Sequence, residues 1–209
     1  MTGVRTLQEF KEKEKEIKRN LIINAAVRVF GERPYDKISL QEIAEEAGLS
    51  KASIYTYFEN RESLFVQAAL RELDGMLDEL RGIISRKKNP HLEDIINACL
   101  DYFLSHNSFF KMATLFITHG SLDPQACLNI NVTLHHVISF FESLFKDMGY
   151  KGDTRILSHT LMAALDGILI TYEKSAGKNA QEKERHMKRV GSTLSRMFVC
   201  LIENNQKPV

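Results

Sequence analysis

Helical periodicity runs through nearly all of this 209-residue chain, and proline almost never interrupts it. Apolar side chains recur at three- and four-residue intervals, while no period-two run survives a count. No Asn-Gly or Asp-Gly turn stands between alternating strands. Of four prolines, Pro34 falls in the turn-like stretch Gly31–Tyr35 and Pro208 in the tail. Pro90 and Pro124 each follow a capping residue, Asn89 and Asp123, the arrangement that opens helices. The pattern predicts an all-α fold of about nine helices, near 12–31, 40–47, 51–58, 61–85, 90–105, 109–118, 124–148, 154–176 and 180–204. Ser39-x-x-Glu42 and Asn179-x-x-Glu182 have capping-box spacing, and Gly149, Gly152 and Gly177 are natural stops. In the first helix, Ile17, Leu21, Ala25, Val29 and Phe30 share the expected core face.

Composition removes several function classes. A hydrophobic fraction of 44% and a charged fraction of 26% exclude a disordered or fibrous chain. The net charge of +1 excludes a polybasic nucleic-acid sponge but leaves room for a focused patch. Cys99, Cys127 and Cys200 form no CxxC pair and read as core thiols in a reducing compartment. The longest uncharged run, Pro124–Phe141, carries Gln125, Asn129, Asn131, His135 and His136, too polar for a bilayer. The polar, then highly charged opening predicts no signal peptide. These features predict a soluble, cytoplasmic protein with no membrane partner. No Glu-x-x-His, HExxH, Cys/His zinc spacing, GxSxG, Walker or GxGxxG pattern occurs. The expectation is no enzyme, no cofactor and no metal.

The most informative stretch is Ile38-Ser-Leu-Gln-Glu-Ile-Ala-Glu-Glu-Ala-Gly-Leu-Ser-Lys-Ala-Ser-Ile-Tyr-Thr-Tyr-Phe58. It reads as two short helices joined by a tight turn. Ala44 is small where the second helix must cross, and Gly48 suits the left-handed turn. Leu49, Ile54, Ile43, Ala47 and Phe58 form the inward side, and Ser50 can cap the second helix. Its outward side is then Lys51, Ala52, Ser53, Tyr55, Thr56 and Tyr57. That side has one cation, one methyl, hydroxyls and no acid, the composition of a helix that lies in a major groove.

The segments Gln41-Glu-Ile-Ala44, Ala47-Gly-Leu-Ser-Lys51, Ser53-Ile-Tyr55, Tyr57-Phe58 and Asn60-Arg-Glu-Ser-Leu64 resemble the DNA-binding domain of the TetR family of transcriptional regulators. The resemblance is close over about fifty residues; beyond them it extends only to helical layout and length. It implies a helix-turn-helix domain over 1–62, with a charged N-terminal arm, and an effector-binding and dimerisation domain over 63–209. It also implies that Ser39 and Gln41 touch phosphate and a base edge, and that Ser50 to Tyr57 form the recognition helix. Arg61 takes the position of a lysine that grips phosphate together with helix amides. Ala52 stands where the family usually has glycine, and Thr56 where it often has histidine, so operator preference does not transfer. Residues 1–61 hold eleven bases against ten acids; net charge therefore gives no support, and only placement of the charges can. The run Lys11–Arg19 reads as a solvated helical face, or else Lys15, Lys18 and Arg19 lean on phosphate.

One such motif reads few base pairs, so these proteins pair on a palindrome. Met187, Val190, Leu194, Met197 and Leu201 repeat at three–four spacing, and Leu157, Leu161, Leu165, Ile168 and Tyr172 supply a second stripe. The two stripes predict a four-helix homodimer interface, with ordinary intrachain core as the alternative. The middle of the chain is rich in aromatics, and the helix over 124–148 is apolar nearly all round, the mark of an enclosed helix. The resemblance implies a small-molecule effector that releases DNA. An apolar or aromatic ligand near Phe103, Phe110, Phe116, Met162 and Asp166 is the expectation, with solid core as the alternative. The predicted function is an effector-released repressor of a double-stranded palindromic operator; a helix-turn-helix regulator without an effector is the rival.

Overall fold

The computed structural model describes residues 7–33, 35–87, 90–106, 112, 124–173 and 179–206, with the side chains of 124–131, 133, 172, 173 and 206 outside that description. Eight α-helices lie among the described residues: α1 (Leu7–Glu32), α2 (Leu40–Glu46), α3 (Lys51–Tyr55), α4 (Arg61–Arg86), α5 (Leu92–Ser105), α6 (Pro124–Asp147), α7 (Thr154–Glu173) and α8 (Ala180–Gln206). A single 3₁₀ turn, Tyr35–Lys37, links α1 to α2. The described residues contain no strand, so the fold class is all-α, close to the predicted count. The helix expected near 109–118 lies outside the described residues except for Met112, which is helical and buried.

Local signals set most boundaries. Ser39 accepts from the Glu42 amide while the Glu42 carboxylate accepts from the Ser39 amide at 2.8 Å, the reciprocal box expected from the spacing. The Asn179 side chain accepts from the Glu182 amide at 2.8 Å. α5 starts two residues later than expected, because the His91 amide donates to the Asp94 carboxylate and stops the chain there. Asn89 lies outside the described residues.

Two buried clusters organise the helices. The first gathers α1, α2, α3 and the start of α4 around Ile22, Phe30, Ile43, Ile54, Phe58 and Phe65. The second gathers the rest of α4 with α5 to α8 around Leu77, Ile95, Phe141, Phe145, Leu161 and Phe198. α4 belongs to both: Leu64, Phe65 and Ala68 sit in the first, Met76, Leu77 and Leu80 in the second. In the C-terminal part, α5 packs on α8 and α4, and α7 packs on α6 and α8.

Three sequence expectations about faces are corrected. Ile17 and Leu21 are exposed, because α1 turns Ile22, Ile23, Ala25, Ala26 and Phe30 inward and projects its first half beyond the cluster. α6 is not enclosed all round. Val137, Ile138, Phe141 and Phe145 are buried, while Val132, Leu134, His135 and His136 face outward. Leu161 and Ile168, expected at a dimer interface, are buried in the chain's own second cluster, the intrachain core that the same spacing left open.

Candidate nucleic-acid interface

The turn between α2 and α3 sets the geometry of this face. Gly48 adopts φ +66°, a left-handed conformation costly for residues with a Cβ. The Leu49 amide donates back to the Ala44 carbonyl at 2.9 Å and the Gly48 amide to Glu45 at 3.1 Å, closing the end of α2. Ser50 then caps α3, its hydroxyl accepting from the Ser53 amide at 3.2 Å and lying 2.8 Å from the Ser53 hydroxyl. Ile54 and Phe58 are buried, which fastens α3 to the domain and fixes its opposite side outward.

That outward side holds Lys51, Ala52, Tyr55 and Thr56, all exposed. Tyr55 keeps 53% of its surface open, so its phenol is a surface group despite its apolar ring. Ser53 is half-buried, and Tyr57 is half-buried against the first cluster. The Thr56 hydroxyl is 3.4 Å from the Ala52 carbonyl, a long contact that a ligand can replace. Ser39 and Gln41 are exposed at the start of α2. Both already have local partners: Ser39 has Glu42, and the Gln41 amide donates to Glu45 at 2.8 Å.

The acids of α2 are tied down by neighbours. Arg28 pairs with Glu46 at 2.6 Å, and Arg33 pairs with Glu42. The Ser39 amide and hydroxyl, and then Arg33, hold the Glu42 carboxyl below the ordinary carboxylate range. α3 itself carries no acid.

Arg61, expected at phosphate, and Lys18 and Arg19, for which phosphate is the alternative to a solvated face, all have partners within the chain. The Arg61 guanidinium donates to the Ile38 carbonyl at 2.6 Å and lies 4.4 Å from the centre of the Tyr35 ring. It therefore ties the 3₁₀ turn to α4. Arg19 donates to Gln67 at 2.6 Å and sits over the Phe58 ring, and Lys18 pairs with Glu14 at 2.8 Å. Arg71 joins α4 to α1 through the side chains of Asn20 and Asn24, each at 2.8 Å. No spacing in the sequence marks Tyr35, Gln67 or Arg71 for these roles, since their partners lie 26 to 51 residues away in Arg61, Arg19 and Asn20.

In the C-terminal part, Phe103 and Met162 are half-buried against the second cluster, and Asp166 is half-buried on α7. Loss of hydration pushes the Asp166 carboxyl up to about 6. Phe110 and Phe116 lie outside the described residues. On α8, Met187 is buried, Val190 and Leu194 are half-buried, and Met197 and Leu201 are exposed at 64% and 47%. Among the described residues no helix is long and apolar enough to cross a membrane, and no group of three metal-ligating side chains forms.

Comparison with known proteins agrees with this geometry. Residues 22–68 match the model of bacterial regulatory proteins, tetR family. The HTH-type transcriptional regulator YuxN of Bacillus subtilis strain 168 is 30% identical over 114 residues, 54% of this chain and 36% of that protein. The chain thus spans about a third of that relative's length. The fatty acid degradation regulator FadR of Bacillus halodurans superposes with a TM-score of 0.70 at 22% identity, over 85% of this chain and 94% of that one. FadR of Bacillus subtilis, solved in complex with stearoyl-CoA, gives a TM-score of 0.70 at 17% identity, over 86% and 95% of the two chains. These two likenesses establish a shared fold. The glycine turn, the capped α3 and all of the first cluster except Met112 fall inside the matched segment, so residues 22–68 are a stretch of the tetR-family type.

Proposed function

We propose that this chain is a transcriptional repressor that binds a palindromic DNA operator as a homodimer and is released by a small apolar effector. The observation that carries the reading is the acid-free face of α3, where Lys51, Ala52, Tyr55 and Thr56 are exposed on a helix capped and anchored from behind. Short hydroxyls, a methyl and a lysine suit base edges and phosphates. Residues 1–62 would carry DNA recognition and residues 63–209 effector binding and dimerisation.

Two further features support the finer parts of the reading. Met197 and Leu201 leave apolar surface open on α8, and Ile156 does the same on the adjoining α7. A second copy would cover it and set two recognition helices about 34–36 Å apart, one turn of duplex. For the effector, the FadR structure that shares this fold holds stearoyl-CoA. A long acyl thioester suits the apolar setting of Phe103 and Met162, with the carboxyl of Asp166 on the adjoining stretch of α7. Release requires differential affinity between two conformations, and ~100-fold corresponds to about 2.7 kcal/mol.

The test is selection of DNA from random sequence with the full chain. Enrichment of a two-fold-related sequence, bound tightly and weakened by added stearoyl-CoA, is the expected result. Absence of any enriched sequence overturns the DNA-binding reading; tight binding insensitive to acyl thioesters overturns only the effector class.

A further inference from the structure

We propose that Tyr102 is the positioning residue through which the C-terminal helices set the placement of α4, and with it the DNA-binding face. This rests on the reading that the chain binds DNA under control of its C-terminal part. α4 runs through both buried clusters, and the turn Glu72–Gly75 lies between the residues it gives to each. At that turn the contact comes from α5. The buried Tyr102 hydroxyl donates to the Glu72 backbone carbonyl at 2.9 Å.

Gly75 makes the approach possible. A Cβ there would lie 2.7 Å from the Tyr102 hydroxyl oxygen, closer than van der Waals contact permits. Glycine is the poorest helix former after proline, and here it opens α4's backbone to a side chain from another helix. The tyrosine is held from behind as well. Its ring stacks on His106 at 3.8 Å between centres, and His106 Nδ1 lies 2.9 Å from the Tyr102 carbonyl. Burial pushes the phenol up to about 12, so it remains a neutral donor. Tyr102 is also part of the second cluster, so a displacement of α5 against its neighbours reaches the hydroxyl directly.

The same stripe of α4 continues into the first cluster. Phe65, Ala68, Glu72 and Gly75 follow at three–four–three spacing, which places them in one row. Met112, downstream of α5 in the chain, is fully buried in the first cluster together with Phe65 and Ala68.

Coupling is reciprocal, so DNA must be felt at α5 if α5 controls DNA binding. The experiment is hydrogen exchange on the full chain, with and without a DNA fragment selected from random sequence. In the unaltered protein the fragment slows exchange of α1–α4 and also of residues 99–106, the latter by roughly fivefold. Tyr102→Phe keeps the ring and its stacking but removes the hydroxyl; slowing persists in α1–α4 and is absent from 99–106. Gly75→Ala, which pushes the hydroxyl off α4, gives the same result, and adding it to Tyr102→Phe changes nothing further. Unaltered slowing at 99–106 in either single variant overturns the proposal, as does wild-type slowing confined to α1–α4. Slowing nowhere in the wild type, because no fragment binds, removes the functional reading itself and is recognised as such. Should Tyr102→Phe fail to fold, Gly75→Ala decides alone.

Discussion

The Arg61 guanidinium donates to the Ile38 carbonyl and lies over the ring of Tyr35, at 2.6 Å and 4.4 Å to the ring centre. The pair closes the 3₁₀ turn against the start of α4 and so fixes the angle at which α2 leaves α1. Sequence position alone suggests a phosphate-gripping cation here. Its hydrogen bond to Ile38 and its contact with the Tyr35 ring make the half-buried side chain an internal brace.

Arg61→Ala should therefore lower stability by about 1–3 kcal/mol, from the lost charged hydrogen bond and ring contact. The slope of DNA affinity against salt should stay unchanged. Denaturant unfolding and titrations at several salt concentrations check both parts, and a slope reduced by about one would return Arg61 to the phosphate backbone.

Lys51→Ala and Tyr55→Ala should each weaken specific DNA binding by at least roughly tenfold, about 1.4 kcal/mol, with little change in thermal stability. Both residues are exposed, so truncation removes no core contact. Mobility-shift titration beside a melting curve makes the comparison; unaltered affinity in both variants would take α3 out of the groove.

Met197→Asp or Leu201→Asp should give folded monomers, since both side chains are exposed on α8 and contribute little to the chain's own core. Leu161→Ala should instead destabilise the fold by about 2–5 kcal/mol, because it empties a fully buried site. Sedimentation of the aspartate variants reads the first, and a persistent dimer in both places the interface elsewhere.

Asp166 gives a pH signature. Its folded carboxyl stands at about 6 against an ordinary 3.8, so the folded state holds its proton longer than the unfolded chain. Stability is then unaffected below pH 3.8, falls as pH rises through the window up to about 6, and levels off above it. The displacement corresponds to a cost on the order of 3 kcal/mol once the group is ionised. Asp166→Asn should remove this slope and be the more stable protein at pH 7. Parallel unfolding profiles from pH 4 to 7 test it, and superimposable curves would refute it.

What neighbours along the chain control could be read without a structure. The Ser39–Glu42 box, the Ser50 cap, the Gly48 turn and the start of α4 all depend on contacts within a few residues. Periodicity likewise showed that α1, α7 and α8 each have an apolar stripe. It could not say what covers each stripe, since the same spacing serves an intrachain core and a partner helix equally. Tertiary packing decided that Leu161 and Ile168 face inward and Met197 and Leu201 outward, and that Ile17 and Leu21 stand exposed. It also decided where long polar side chains end. A guanidinium or phenol reaches several ångströms from its backbone, and its partner is whichever group the fold brings within that reach: Ile38 for Arg61 and Glu72 for Tyr102.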